Sequence, residues 1–110
     1  MHLNKFKCFL QGVFNRTEST FLRKRNEYAN DQDVFISFKK GKDFSFHNES
    51  EQVAYSYLCK HLESIRSILE KLPNKEPNEN LINEKFGDAI NYLIIIEGLL
   101  KERLESNFKK

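Results

Sequence analysis

The chain has 110 residues and a mass of 13.1 kDa, a length typical of one domain. Hydrophobic residues make up 39% and charged residues 31%, with four glycines and two prolines, which excludes collagen-like, glycine-rich and generally disordered chains. The net charge is +2, but residues 1–30 carry six basic and two acidic residues, whereas residues 46–110 carry nine and eleven. A basic N-terminal end favours contact with a polyanion.

Cysteine usage and hydropathy predict the compartment. The two cysteines, Cys8 and Cys59, are too few for a disulfide scaffold and favour a reducing environment. The first residues lack a small-residue cleavage site, so we expect no signal peptide. The longest apolar run, Tyr92 to Ile96, is far shorter than a membrane span. We therefore expect a cytoplasmic protein that makes no membrane contact.

The N-terminal residues show a helical period, and we predict one basic helix or arm within residues 1–30. It runs from about residue 3 to 29, and a break near residues 15–20 remains an alternative. Its apolar positions are Leu3, Phe6, Leu10, Val13, Phe14, Phe21, Leu22 and Tyr28.

A short helix follows a loop at residues 30–33. We predict that Asp33 caps it, that it carries Val34, Phe35 and Phe38, and that it ends at Gly41. The alternation of Phe44 and Phe46 leaves a short extended segment open for the residues after it.

Two longer helices dominate the rest of the chain. Asn48 and Glu51 have the spacing of a capping box, which begins a helix that Pro73 ends after residue 72. The next helix runs from about Asn80 to Ser106, and residues 48–106 form an antiparallel hairpin. The predicted buried positions on the second helix are Leu81, Phe86, Ala89, Ile90, Leu93, Ile94, Ile96, Leu99, Leu100 and Leu104.

The predicted fold is therefore a single all-α domain, residues 1–110, with about four helices around this central hairpin. Gly87 and Gly98 lie inside the last helix, where glycine costs about 1 kcal/mol relative to alanine. Close packing of another helix is the expected reason for both. Because the wide apolar faces exceed what one hairpin covers, a homodimer is left open.

A polar layer is predicted between the two hairpin helices. Glu84, Asp88 and Asn91 are spaced i, i+4, i+7 and share one stripe. Lys60, His61 and Ser64 lie on the preceding helix. Two interpretations stay open: a ligand site, with Glu84 and Asp88 as the only candidate Mg²⁺ ligands, or a hydrogen-bonded layer that sets the helix register.

A basic cluster is the other candidate site. Arg23, Lys24 and Arg25, together with Lys5, Lys7 and Arg16, can follow a phosphate backbone while an aromatic ring, Phe21 or Tyr28, stacks on a base. A solvated helix face explains the same residues. No glycine-rich phosphate loop, zinc-ligand spacing or nucleophile elbow occurs, so we predict no catalytic residue.

Four short motifs resemble a known group of proteins. The segment 84–93, EKFGDAINYL, resembles the last helix of small phage and prophage proteins associated with nucleotide modification. Those proteins are distantly similar to the all-α MazG-type nucleoside triphosphate pyrophosphohydrolases. Residues 23–29, 33–38 and 60–65 resemble further segments of the group in the same order, so that the resemblance covers about residues 20–103.

The resemblance implies two possible functions, a non-catalytic binding protein or a Mg²⁺-dependent enzyme. The residues that bind Mg²⁺ in the MazG-type enzymes distinguish the two. MazG-type enzymes bind Mg²⁺ through Glu-x-x-Glu and Glu-x-x-Asp pairs, but here Lys85 stands three residues before Asp88, and Glu63 and Glu70 are seven apart. We therefore expect a non-catalytic, cofactor-free phage protein in the bacterial cytoplasm, an anti-CRISPR-like inhibitor of host antiviral defence. It contacts a defence nuclease, its RNA or a nucleotide. The alternative is a Mg²⁺-dependent MazG-like pyrophosphohydrolase.

Overall fold

The computed structural model describes residues 1–28, 33–44 and 48–108, and every regular element within them is helical. The all-α prediction with four helices is confirmed. In chain order the elements are α1 (Leu3–Tyr28), α2 (Ile36–Gly41), a 3₁₀ helix (Lys42–Phe44), α3 (Ser50–Glu70) and α4 (Glu79–Phe108).

Helices α3 and α4 form the predicted antiparallel hairpin. Arg103, near the end of α4, donates hydrogen bonds to Glu49 and Glu51 at the start of α3. Helix α2 packs across the open end of the hairpin and α1 lies along α4. The buried cluster between α2, α3 and α4 consists of Phe38, Val53, Ala54, Ile95 and Leu99.

The start of α3 differs from the prediction. The helix begins at Ser50 rather than Asn48, and the Gln52 side chain, not that of Glu51, accepts the backbone N–H of Glu49 at 3.2 Å. Glu51 is engaged elsewhere, because Arg103 Nε donates to its Oε2 at 2.5 Å. A charged partner across the hairpin outweighs a local backbone bond, since charge-assisted hydrogen bonds are the stronger ones.

Pro73 and Asn78 determine the connection between the hairpin helices. Helix α3 ends at Glu70, two residues earlier than predicted, and Lys71 caps it with helical dihedral angles. The helix does not continue through Leu72, because the residue before a proline avoids helical geometry. Helix α4 begins at Glu79, where the Asn78 side chain accepts the backbone N–H of Leu81 at 2.8 Å and so caps the helix.

Asp33 was predicted to cap α2, and this was wrong. Its Oδ1 accepts the N–H of Phe35 at 3.0 Å, which forms a turn before the helix, and its Oδ2 accepts from Lys39 Nζ at 2.7 Å. The helix begins at Ile36, so Val34 and Phe35 precede it, and it ends at Gly41 as predicted. Residues 42–44 form a 3₁₀ helix rather than an extended segment, whereas Phe46 lies outside the described residues.

Helix α1 is continuous, so the alternative with a break near residues 15–20 is not observed. The hydroxyls of Thr17 and Thr20 donate to carbonyls one turn earlier in the same helix and leave it intact. Residues 1–12 are exposed, and α1 meets the rest of the molecule through Val13, Arg16, Thr17, Thr20 and Phe21.

The predicted buried face of α4 is only partly correct. Ala89 and Leu99 are buried, and Ile95 is as well, although it was not predicted. Five predicted core positions are exposed: Phe86, Leu93, Ile94, Leu100 and Leu104. The reason is that α1 and α2 pack on one side of the hairpin only, which leaves the other side of α4 uncovered.

The glycines of α4 lead to a prediction about helix packing. A Cβ at Gly98 would lie 2.5 Å from Cζ of Phe35, whereas one at Gly87 would lie 3.5 Å from Nε of Arg16, an ordinary contact. Gly98→Ala should therefore lower the free energy of unfolding by about 1–3 kcal/mol through overpacking. Gly87→Ala should raise it by up to about 1 kcal/mol through helix propensity. Urea unfolding of both variants measures the difference, and equal effects would contradict the close approach of Phe35.

Two ion pairs make the stability of the fold depend on pH. The hydrogen bond from Lys39 lowers the pKa of Asp33, and the hydrogen bond from Arg103 lowers the pKa of Glu51. A carboxyl group with a lowered folded pKa stabilises the fold above its ordinary pKa and loses that contribution as pH falls through the folded value. The melting temperature should thus fall between about pH 5 and about pH 2. In Glu51→Gln it should start lower and fall less, because Gln does not titrate; parallel curves would refute the role of this pair.

Candidate functional site

A polar cleft of about 500 Å³ lies between α1 and α4. The α1 wall carries residues at i, i+3, i+4 and i+7, and the α4 wall carries a matching polar stripe. Such spacings place each set on one helix face. The lining residues are Arg16, Ser19, Thr20, Arg23, Asn83, Glu84, Gly87, Asp88 and Asn91.

The predicted stripe of Glu84, Asp88 and Asn91 lines this cleft. The stripe therefore faces α1, and only Asp88 also reaches the α3 side, where His61 Nδ1 lies 3.6 Å from its Oδ2. The sequence had predicted that residues of α3 face this stripe. In the structure most of the stripe faces α1 instead, so the polar layer lies mainly between α1 and α4.

Arg16 is the central residue of the α1 wall. Its Nη1 donates to Asn83 Oδ1 at 2.9 Å, which ties α1 to the first turns of α4. The guanidinium packs against the α4 backbone at Gly87, where an added Cβ would make only an ordinary contact with it. Its Nε is buried and, within the described part of the chain, has no hydrogen-bond partner. Arg16 therefore keeps an unused donor at the cleft.

Asn91 is the deepest polar residue of the α4 wall. Its exposed fraction is 7%, and its Oδ1 has no hydrogen-bond partner among the residues that the structure describes. A buried amide oxygen without a partner costs about 1–3 kcal/mol. Such groups are rare in folded proteins and are expected where a ligand or water completes the bonding.

An aromatic stack borders Asp88 on the α3 side. The His61 ring stacks on Tyr92 at a centroid distance of 5.1 Å, and Tyr92 stacks on Tyr57 at 5.8 Å. Burial, followed by the charge of Asp88, raises the pKa of the Tyr92 hydroxyl. The stack holds His61 beside Asp88 on the α3 side, and His61 is not among the residues that line the cleft.

The remaining predicted residues of the polar layer take other positions. Lys60 Nζ lies 5.4 Å from the centroid of Tyr57, a cation–π contact at the surface. The Ser64 hydroxyl donates to the Lys60 carbonyl of its own helix. Glu84 lines the cleft but is largely exposed, and Lys85 Nζ lies 3.6 Å from its Oε1.

Of the basic cluster, Arg23 lines the cleft, about two turns beyond Arg16. The backbone of Lys24, Arg25 and Tyr28 continues α1, but their side chains lie outside the described part of the structure. The cleft thus combines Arg16 and Arg23 on one wall with two carboxylates on the other.

Sequence reasoning missed Ser19, Thr20 and Asn83 as site residues. Arg16 was predicted only as a member of the basic cluster around Arg23, not as a residue that contacts α4. The pattern Arg16-x-x-Ser19-Thr20-x-x-Arg23 is a polar stripe at helical spacing, which was the available signal. No local feature indicates that this stripe faces α4.

Across residues 1–28, 33–44 and 48–108, no group of three or more His, Cys, Asp or Glu side chains is placed to hold a metal ion. In the same segments, none of the helices contains an apolar stretch of the length that a membrane span requires. Glu84 and Asp88, the two candidate ligands, contact Lys85 and His61 respectively.

Comparison with known proteins returned no match: no family model fits the chain, and no curated protein and no solved structure is significantly similar to it. The chemistry of the cleft must therefore be inferred from its own side chains.

Proposed function

We propose that the chain is a non-catalytic binding protein that takes a phosphate-bearing ligand, a nucleotide or an RNA segment, in the α1–α4 cleft. One observation carries the proposal. Arg16 and Asn91 line the same cleft, and the Nε of Arg16 and the Oδ1 of Asn91 are buried beneath its surface without a partner in the described part of the chain. A ligand that enters between these side chains and supplies an acceptor and a donor would satisfy both groups.

The two arginines favour phosphate on the α1 side. Guanidinium groups bind phosphate through paired N–H donors, and Arg16 keeps one donor buried next to the cleft. Arg23 adds a second cation farther along the same helix face. Two cations on one wall suit one or two phosphate groups better than a long polyanion held over its full length.

The α4 wall favours the nucleoside part of the ligand. Asn91 Oδ1 is an acceptor, and the carboxylates of Glu84 and Asp88 are acceptors as well, so this wall suits N–H groups of a base or hydroxyls of a ribose. These carboxylates repel further phosphates, which favours a monophosphate over a triphosphate. The volume of about 500 Å³ lies within the range of small-ligand sites.

We propose that the chain does not cleave triphosphates, because it lacks the full set of carboxylates that would bind Mg²⁺. Triphosphate cleavage of the MazG type relies on several carboxylates that share Mg²⁺, but here Lys85 takes the position of one of them and contacts Glu84. An ammonium group beside a candidate ligand opposes binding of a divalent cation. The alternative function is a Mg²⁺-dependent pyrophosphohydrolase, and a measurement of pyrophosphate release from ATP distinguishes the two.

The biological setting is proposed from the resemblance to phage and prophage proteins. In that setting the chain acts in the cytoplasm of a bacterial host and interferes with antiviral defence, in the manner of anti-CRISPR proteins. It does so by occupying the guide RNA of a defence nuclease or by sequestering a nucleotide. The phosphate chemistry of the cleft serves both routes.

Calorimetric titration tests the proposal with four probes: AMP, ATP, inorganic phosphate and a short single-stranded RNA, each with and without Mg²⁺. We expect AMP or RNA to bind without Mg²⁺, and we expect no pyrophosphate release from ATP. Inhibition of an RNA-guided nuclease with its guide would support the defence role. Failure of all four probes to bind would refute the proposal. Turnover of ATP that Asp88→Ala abolishes without unfolding would establish the alternative.

A further inference from the structure

The hairpin has an uncovered apolar face. On both of its helices, large apolar side chains that are 38–57% exposed recur every seven residues. We call this set the open face; it consists of Tyr55, Leu62 and Leu69 on α3 and of Phe86, Leu93 and Leu100 on α4. A seven-residue repeat is the spacing that a helix presents along one straight seam to a partner helix.

Both halves of the open face lie on the same side of the hairpin. On α4, Asn91 lines the cleft beside α1, and Ile95 packs in the buried cluster with Phe38 of α2. At 3.6 residues per turn, the open-face positions of α4 lie about half a turn away from these two residues. On α3, Val53 meets α2 at Gly41, and the open-face positions again lie about half a turn away. Because the helices are antiparallel, α1 and α2 cover one side and both stripes line the other.

The exposed surface is larger than a compact monomer requires. The chain has an accessible surface of 8773 Å², whereas a compact monomer of 13.1 kDa has about 6,400 Å². Its radius of gyration is 16.5 Å, compared with about 13 Å for a compact domain of this length. Part of this surplus lies on the exposed residues 1–12 of α1, and part of it is the open face, where a stable interface would bury roughly 800 Å² per partner.

We infer that a second copy of this chain covers the open face, so that two hairpins pack about a twofold axis into a four-helix bundle. The margins of the face fit a copy of themselves. Arg66 and Glu70 form an ion pair at the α3 edge, and Lys101 and Glu97 form one at the α4 edge. Each edge therefore carries both signs, which favours self-pairing over a partner of one charge.

In the dimer, the hairpin of the second copy covers the apolar side that α1 and α2 leave exposed in the monomer. Helical domains bury each apolar stripe against another element, and α1 and α2 do this on one side of the hairpin only. In the dimer α1 stays outside the bundle, and the α1–α4 cleft stays open to solvent on the side away from the twofold axis. This inference therefore does not depend on the ligand proposed for the cleft.

Light scattering coupled to size exclusion, at about 5–200 µM protein, tests the inference. We expect a mass of about 26 kDa, twice that of the chain. Leu93→Glu and, separately, Leu62→Glu should raise the dimer dissociation constant by about a hundredfold or more, because each dimer buries two unpaired charges. The matched control is Leu22→Glu on α1, which is 62% exposed and should leave the dimer unchanged. Circular dichroism checks that all three variants remain helical.

Three results would overturn the inference. The first is a mass of 13 kDa for the parent at the highest concentration, which would leave the open face to a different partner. The second is a dimer that survives both open-face substitutions. The third is a dimer that Leu22→Glu dissociates as well, which would place the interface on α1. A melting temperature that rises with protein concentration provides independent support, since association stabilises the folded state by mass action.

Discussion

Arg16→Gln is expected to weaken binding of AMP or RNA to the α1–α4 cleft by about 10- to 150-fold. Hydrogen bonds to charged groups contribute about 1.5–3 kcal/mol, and a free-energy change of about 1.4 kcal/mol corresponds to a factor of ten. Arg16 contributes both a cation and a buried donor, so its loss combines two effects. Gln keeps one amide that can still reach Asn83, which limits the structural change.

The control for Arg16→Gln is Arg66→Gln, the same chemical change on the exposed surface of α3. Arg66 pairs with Glu70 and lies away from the cleft, so ligand binding should not change. Salt dependence provides a second measurement, because each phosphate contact that is lost lowers the slope of log affinity against log salt by about one. Replacing Arg23, Lys24 and Arg25 together with Gln should lower this slope further. Unchanged affinity at every salt concentration would show that α1 is not the binding element.

Asn91→Leu is expected to change stability and binding in opposite directions. Leucine removes an amide oxygen that is buried without a partner in the described structure, and its volume is similar. The free energy of unfolding should rise by about 1 kcal/mol, which corresponds to about 4–8 °C in melting temperature. Affinity for AMP should fall about tenfold or more, since the acceptor for the nucleoside part is lost. Binding sites commonly trade stability for function in this way.

The control for Asn91→Leu is Asn83→Leu on the same wall of the cleft. Asn83 is exposed and its Oδ1 already accepts from Arg16, so its replacement should not raise the melting temperature. If Asn91→Leu lowered the melting temperature, the amide would be a structural hydrogen-bonding group rather than a ligand group. If it raised the melting temperature but left affinity unchanged, Asn91 would have no part in binding.

Local signals were sufficient for the helices themselves. The apolar periods of α1, α3 and α4, Pro73 and the polar connector predict each element to within a few residues, because helix formation and termination depend on neighbours in sequence. The error at the start of α3 has a nonlocal cause. Glu51 was assigned to the start of α3, but Arg103 lies 52 residues away in sequence and binds it instead.

Composition and spacing also identified part of the candidate site. The spacing of Glu84, Asp88 and Asn91 places them on one face of α4, whatever packs against them. Arg23 was selected for its charge and lines the same cleft. The sequence by itself thus determined an all-α chain with a basic first helix and a polar stripe on the last one.

Tertiary structure decided which faces meet. Polar stripes on α1, α3 and α4 are alike in sequence, and the contact of Arg16 with Asn83 selects α1 as the partner of the α4 stripe. The same holds for apolar faces: a helical period reports that one side is apolar, but not whether another element covers it. Phe86, Leu93 and Leu100 were expected in the core and are exposed, because α1 and α2 both pack on the opposite side of the hairpin. Burial is a property of the assembled helices, whereas periodicity is a property of each helix alone.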